Sequence, residues 1–154
     1  MTPDIATVLS SSSHWSMVLI TLMLIGMVVS LHYETLERLN HWIPAWGVHA
    51  RPRILLLIFS ILLVHTVEIW LFGIAIYLVV QFPDLGQISG VHEIELLDAV
   101  YLSATTFTTV GYGDLAPHGA IRFLMGSEAL TGFVLITWSA SFTYLEMQRY
   151  WRPR

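Results

Sequence analysis

The stretch TTVGYGDL, residues 108–115, contains groups that can coordinate a cation without contributing charge. Gly111 and Gly113 allow backbone conformations that residues with a Cβ atom resist, and no side chain from Val110 to Gly113 is charged. The oxygen donors are therefore the main-chain carbonyls and the Thr109 hydroxyl. Because carbonyl oxygens can replace the water around a cation and still release it, this stretch predicts a transient cation site.

The composition indicates that this site lies in a membrane. Of 154 residues, 55% are hydrophobic and 12% are charged, whereas soluble domains carry about 25% charged residues. The mean hydropathy is +0.67. The absence of cysteine excludes disulfides and thiolate metal sites. We therefore expect an all-α membrane protein.

Three apolar segments, residues 15–31, 54–81 and 119–148, are long enough to cross a bilayer core of about 30 Å. The first lacks the basic start of a secretory signal peptide, so we expect it to be retained. The ARPR sequence at residues 50–53 should stop any helix before the second segment. Residues 95–107 are apolar but too short to cross, so they predict a re-entrant helix. Irregular backbone after such a helix is tolerated only where it is buried or lines a water-filled path.

The arginines set the expected orientation. Six of the seven lie either between the first two spans or after the third, and these two regions must share one side of the membrane: Arg38, Arg51, Arg53, Arg149, Arg152 and Arg154. An excess of arginine marks the cytoplasmic side. We therefore expect the N-terminus and the re-entrant segment to face outward, the C-terminus to be cytoplasmic, and the protein to be a multi-pass protein of the cell membrane.

Residues 109–114, TVGYGD, resemble the signature sequence of potassium channels. The resemblance extends over residues 54–148 and is closest to the small pore-domain channels of prokaryotes. It implies an outer helix, a pore helix, a selectivity filter and an inner helix, repeated in four identical chains around one axis. It also implies that K⁺ is held at the filter residues Thr109, Val110, Gly111, Tyr112 and Gly113, with Thr109 to Tyr112 providing the sites.

The chain departs from its relatives around the filter. Some relatives place a glutamate four residues before the filter threonine, paired with the aspartate that here is Asp114; this position is Thr105. Relatives also brace the filter tyrosine with two aromatic residues of the pore helix, which here are Tyr101 and Leu102. We therefore expect Asp114, Thr105 and Tyr101 to support the filter, with bracing of Tyr112 that differs from the relatives.

The inner helix contains two glycines, Gly126 and Gly132. By its position, Gly132 resembles the hinge glycine of the family; the alternative is that both glycines only allow close helix packing. The same alignment predicts that a helical stripe faces the central cavity, with the bulky Tyr144 as the candidate constriction. The stripe comprises Phe133, Ile136, Ala140 and Tyr144.

Two acids lie within predicted spans: Glu68, one turn after His65, and Glu128. Ionisable groups in a membrane are expensive and usually face protein or water. One hypothesis is a proton-sensitive pair that biases gating, with His65 or Glu128 titrating. The other is an inter-helix hydrogen bond that fixes packing.

On the predicted outer side, His92 and His118 are candidates for an effect of external pH, and Arg122 for an ion pair at the interface or between subunits. Residues 1–53 are expected to form an N-terminal transmembrane helix with an amphipathic linker on the cytoplasmic interface. Residues 54–154 are expected to form the pore domain.

The expected function is passive, potassium-selective conduction by a homotetramer in contact with membrane lipid. No voltage-sensing domain is expected, because regularly spaced arginines are absent. No attached ligand-binding domain is expected either, because only a few residues follow the inner helix. The sequence shows no phosphate loop, metal cluster or nucleophile triad, so we expect neither an enzyme nor a nucleic-acid partner, and no cofactor besides K⁺ as the permeant ion. A cation channel of relaxed selectivity and a non-conducting accessory subunit remain alternatives.

Overall fold

A computed structural model describes residues 12–45, 50–111 and 113–151. It contains four helices and two short strands, in the order α1 (Ser12–Ala45), α2 (Ala50–Val79), β1 (Gln87–Ser89), α3 (Leu96–Phe107), β2 (Ala116–His118) and α4 (Ile121–Trp151). Three helices are long and apolar enough to cross a membrane, as predicted. The chain is thus an all-α membrane protein, and only Tyr112 of the predicted filter lies outside the described residues.

Helix α1 is much longer than the first predicted span. It continues without a break through residues 32–45, which the sequence had suggested to be a linker. This stretch has no glycine, and its only proline is Pro44, so nothing interrupts the helix. Its buried stripe also continues, because His32 and Leu36 follow Val28 at four-residue spacing.

Helix α2 begins at Ala50, four residues before the predicted start. The expectation that the ARPR sequence keeps the helix out was wrong. Pro52 lies in the first turn, where the backbone N–H groups have no partner within the helix. The missing N–H of proline therefore removes no hydrogen bond there, and its fixed φ angle suits the helix.

The short helix α3 begins with a capping box. The Glu95 N–H donates to Asp98 Oδ2 at 3.0 Å, and the Glu95 side chain accepts from the backbone of the first turn. At about 1.5 Å per residue, its 12 residues span roughly 18 Å, a little over half of a bilayer core of about 30 Å. Helix α2 approaches α3 closely at Gly73, where a Cβ atom would lie 2.7 Å from Val100 Cα.

The strands β1 and β2 pair in antiparallel register, with Ile88 opposite Pro117. This pairing was not predicted, because each strand has only three residues, too few to give a recognisable strand pattern. It joins the loop after α2 to the segment between α3 and α4. At Gly90, with φ of +109°, a Cβ atom would lie 2.0 Å from the Asp114 carbonyl oxygen, so only glycine allows this approach.

The core lies where α1, α2, α3 and α4 meet. Its largest fully buried apolar side chains come from all four helices: Met17, Phe72, Ile76, Leu102, Phe107, Ile121, Leu124, Met125 and Leu135. A second cluster joins Leu36 of α1 to Leu57 and Ile61 of α2. Since α1 contributes to both clusters, it is an integral part of the helix bundle.

Candidate functional site

The predicted filter begins directly at the C-terminal end of α3. There the chain folds back over the helix, because the Thr109 N–H donates to the Thr106 carbonyl at 2.9 Å and the Gly111 N–H donates to the Thr105 carbonyl at 3.1 Å. The last turn of α3 therefore holds the start of the irregular segment in place.

The backbone of this segment is neither helical nor extended. Thr109 has a φ of 58°, the single positive value of a non-glycine residue in the part of the chain that the structure describes, and Gly111 has a φ of 97°. A positive φ is uncommon for a β-branched residue and costs roughly 1–3 kcal/mol. Conformational strain of this kind is concentrated at functional sites.

The segment also faces away from the rest of its own chain. Thr109, Val110, Gly111, Gly113 and Asp114 are exposed, and Val110 has a relative exposure of 78%. A Cβ atom on Gly111 or Gly113 would meet no atom within 4 Å. One chain alone thus leaves this backbone open on one side.

The residues predicted to support the filter have different environments. Tyr101 is 47% exposed, whereas Leu102 is buried in the core. The Thr105 hydroxyl donates to the Leu102 carbonyl of its own helix at 2.9 Å. Asp114 is exposed, and its main chain contacts Gly90. These side chains differ in burial and do not form one cluster in the chain.

Gly132 lies against the end of α3. A Cβ atom there would lie 2.1 Å from the Phe107 carbonyl oxygen, so the missing side chain allows α4 to contact the helix that precedes the filter. Gly126 differs, because no atom lies within 4 Å of its Cβ position. The close approach at Gly132 is the kind of contact that the packing alternative requires. A hinge function of Gly132 stays a prediction.

The predicted cavity stripe lies on an exposed face of α4. All four of its members are exposed in the single chain: Phe133, Ile136, Ala140 and Tyr144. The Tyr144 hydroxyl, predicted to form the constriction, accepts a hydrogen bond from Gln148 Nε2 at 2.7 Å. The stripe is thus available to another chain or to a cavity.

Glu128 joins three helices through Ser103. Ser103 Oγ lies 2.5 Å from Glu128 Oε1 and 2.9 Å from the Ile69 carbonyl oxygen. A hydroxyl has one hydrogen to donate, so when Ser103 donates to Ile69, the Glu128 carboxyl must supply the proton of the other bond. Glu128 Oε2 is buried without a partner. This arrangement resembles the packing alternative of the sequence analysis.

Glu68 lies in a separate cluster with two histidines. Its Oε1 lies 2.8 Å from His32 Nδ1, its Oε2 lies 2.7 Å from His65 Nδ1, and Ser139 Oγ lies 3.2 Å from His32 Nε2. This histidine–glutamate cluster thus connects α1, α2 and α4. Sequence reasoning found His65 and Glu68 but missed His32 and Ser139. His32 could have been found from its place in the buried stripe of α1.

Sequence reasoning also missed an ion pair at the other end of the bundle. Arg53 Nη2 lies 3.1 Å from Glu146 Oε2, and the two side chains are 9% and 8% exposed. The pair joins the first turn of α2 to the last turns of α4. Among the polar residues predicted on the outer side, His118 Nε2 lies 2.9 Å from Ser89 Oγ, while His92 and Arg122 are exposed.

Three membrane-length helices and a short helix that ends in an irregular exposed segment point to a membrane channel. A family model described as "Ion channel" (Ion_trans_2) matches residues 54–148, more than half of the chain. The chain therefore belongs to this ion channel family. It is a multi-pass membrane protein.

Short segments of the chain are also similar to individual proteins. Protein LctB of Geobacillus stearothermophilus is 38% identical over 34% of this chain and 40% of its own length. Two-pore potassium channel 1 of Arabidopsis thaliana is 45% identical over 32% of this chain and 14% of its own length. The matches therefore span less than half of each relative. No solved structure gives a significant match.

Proposed function

We propose that the chain forms a potassium-selective channel that conducts K⁺ passively across the membrane. The observation that carries this proposal is the segment from Thr109 to Asp114, TVGYGD, placed directly after a half-length helix. Rings of carbonyl oxygens in such a segment replace the hydration shell of K⁺. The similarity to Two-pore potassium channel 1 supports the choice of ion.

The conducting unit is a homotetramer. One chain supplies one wall of the filter, and within the described residues no element of the same chain covers the exposed main chain from Thr109 to Gly111. Four chains around one axis would enclose it and would also cover the exposed stripe of α4. In this arrangement, the carbonyl end of α3 faces the pore, where its dipole favours a cation.

The chain lies in the cell membrane with its C-terminus in the cytoplasm. The buried pair of Arg53 and Glu146 then lies near the cytoplasmic end of the bundle, and the strand pair lies on the outer side. This orientation follows the excess of arginine near the ends of the spans.

The experiment is a reversal potential in a planar bilayer containing the purified protein, with K⁺ on one side and Na⁺ on the other. We expect a reversal near the potassium equilibrium value. A reversal near zero would mean a cation channel of relaxed selectivity. Absence of current over a range of pH and lipid composition would mean a non-conducting subunit.

Gly111→Ala is the variant that tests the filter. A Cβ atom at Gly111 meets no neighbour within 4 Å, yet its φ of +97° is one that side chains disfavour. The variant should thus change the local conformation without a clash and should lose selectivity for K⁺. Gly126→Ala is the matched control, because it also has open space but lies in a helix. Equal selectivity in both variants would contradict the proposal.

A further inference from the structure

We propose that His32, His65 and Glu68 form a binding site for a divalent transition-metal ion of the Zn²⁺ class, enclosed between α1, α2 and α4. One ligand atom of each residue lies within 4.8 Å of the other two. Glu68 and the His32 side chain are fully buried, and the His65 side chain is 14% exposed. This is the sole group of three such donors among the residues that the structure describes.

The donor set suits this class of metal. Zn²⁺ is commonly bound by imidazole nitrogens and carboxylate oxygens, and two histidines with one glutamate are a known set of three protein ligands. Ligand atoms about 2.1 Å from a tetrahedral ion lie roughly 3.4 Å apart. The present contacts, 2.8 Å from His32 Nδ1 to Glu68 Oε1 and 2.7 Å from His65 Nδ1 to Glu68 Oε2, would have to widen by roughly 0.6–0.7 Å to admit the ion.

The second ring nitrogen of His32 has a partner of the kind found at metal sites. Ser139 Oγ lies 3.2 Å from His32 Nε2. Metal-binding histidines usually donate their other N–H to an oxygen, which fixes the ring and its tautomer. When His32 Nδ1 holds a metal, Nε2 carries the hydrogen and donates it to Ser139.

Charge provides a separate argument. Both imidazoles must carry a hydrogen on Nδ1 to donate to Glu68, and with two neutral rings the buried cluster has a net charge of −1. A charge inside a membrane bundle needs a compensating partner. At Glu146 the partners are Arg53 and Arg149, whereas Glu68 contacts imidazoles. A divalent cation would bind at the two Nδ1 atoms, and the hydrogen of each ring would move to its Nε2 atom, so both rings stay neutral. The cation then compensates the negative charge of Glu68 and changes the net charge of the cluster from −1 to +1.

The second buried acid shows the contrast. Glu128 contacts a serine hydroxyl and no histidine among its hydrogen-bond partners in the described chain, so it lacks the nitrogen donors of a metal site.

The histidine–glutamate cluster also lies beside the base of the filter, because the His65 ring centroid is 5.8 Å from that of Phe107, the last residue of α3. A bound ion would hold α1 against the helices that support the filter.

The test measures metal directly and does not depend on conduction. Full-length protein carrying an affinity tag without histidine is purified, loaded with Zn²⁺ and separated from free ion, and the retained metal is counted per chain by mass spectrometry. Co²⁺ serves as a second probe, because its visible spectrum reports a tetrahedral site. We expect one ion per chain and a higher midpoint of thermal unfolding with metal.

Three variants locate the ion. His32→Gln and Glu68→Gln remove one ligand each and keep a polar side chain of similar size, so the affinity for the metal should fall at least about tenfold. Ser139→Ala removes the hydrogen-bond partner that fixes the His32 ring, so it should lower the metal affinity about tenfold. The control, in which His92 and His118 are both changed to alanine, should retain the ion. A variant that does not fold is recognised because its oligomeric state differs from that of the native chain. In that case the metal affinity of Ser139→Ala tests the proposal.

Two results would overturn the proposal. Equal metal content in the native chain and in His32→Gln would place the ion elsewhere. Absence of retained metal in the native chain would mean that the cluster holds protons only.

Discussion

The backbone conformation of Thr109 is unfavourable for a residue with a side chain. A substitution at this position should therefore affect fold stability and ion selectivity in different directions. Its φ of 58° is disfavoured for a β-branched residue, and glycine would relieve the strain. Thr109→Gly should thus leave stability unchanged or raise it by about 1 kcal/mol. It should also weaken the proposed K⁺ selectivity, because it removes the hydroxyl that we propose as a ligand. Thermal unfolding and reversal potentials measure the two effects.

Thr108→Gly is the matched control for this prediction. Thr108 has an ordinary φ of −82° and caps the end of α3, and its hydroxyl donates to the Ala104 carbonyl. Glycine there should lower stability by about 0.5–1 kcal/mol. If both substitutions lowered stability equally, the strain at Thr109 would not be real.

Ser103 is a second single residue with a large expected effect. Ser103→Ala removes both contacts of its hydroxyl and leaves Glu128 Oε1 and the Ile69 carbonyl without this partner. Unsatisfied buried polar groups cost about 1–3 kcal/mol, which chemical denaturation in detergent would detect. Ser30→Ala is the control, because the hydroxyl of the exposed Ser30 bonds to the Gly26 carbonyl of its own helix. A similar loss of stability in both variants would contradict the role of Ser103 in joining the helices.

At the scale of elements, the contact between α4 and the end of α3 depends on Gly132. Gly132→Ala would place a Cβ atom 2.1 Å from the Phe107 carbonyl oxygen, and overpacking of this kind costs about 1–3 kcal/mol. Gly126→Ala should instead raise stability by about 0.5–1 kcal/mol, because its Cβ position is open and alanine is favoured over glycine inside a helix. A thermal shift assay on both variants checks the difference. Equal shifts would show that the close approach is not structural.

The ends of α2 and α4 depend on an ion pair instead. Arg53→Ala would remove the buried partner of Glu146 and leave Arg149, whose side chain is 63% exposed, as its remaining ion-pair partner. Because Glu146 keeps one partner, the loss of stability should stay below the cost of an uncompensated buried charge, about 3–5 kcal/mol, and amount to about 1.5–3 kcal/mol. Arg38→Ala removes an exposed pair with Glu34 and should cost less than about 1 kcal/mol. Denaturation curves of the two variants test this ranking, and a loss of similar size in both would contradict it.

The sequence was sufficient to predict the elements whose local pattern determines them. The number of spans and the length of α3 followed from the lengths of the apolar runs. The predicted end of α1 and the predicted start of α2 were wrong, because residue preferences at helix ends are weak compared with packing. The strand pair, the Arg53 pair and the His32 contact join residues distant in the chain, and one sequence gives no information on such pairs.

At the scale of the whole molecule, the proposed tetramer can be tested with single cysteines, because the native chain has none. Tyr144→Cys, on the exposed stripe of α4, should form disulfides between subunits if this face surrounds the axis. Phe59→Cys is the control, since Phe59 is 65% exposed on α2, which the proposed assembly places toward lipid. If only Phe59→Cys formed covalent dimers, the Phe59 face of α2 would lie between subunits and the stripe of α4 would not.

The histidine–glutamate cluster has a consequence for the order in which the protein is made. His32 precedes Glu68 by 36 residues, and Ser139 follows His32 by 107. During synthesis, the imidazole of α1 is therefore already in the bilayer when the carboxylate of α2 enters, so the most expensive side chain of the second span has a partner on arrival. The hydroxyl of α4 arrives last. A nascent chain that has completed only two helices can thus already be held together inside the lipid, before any pore exists.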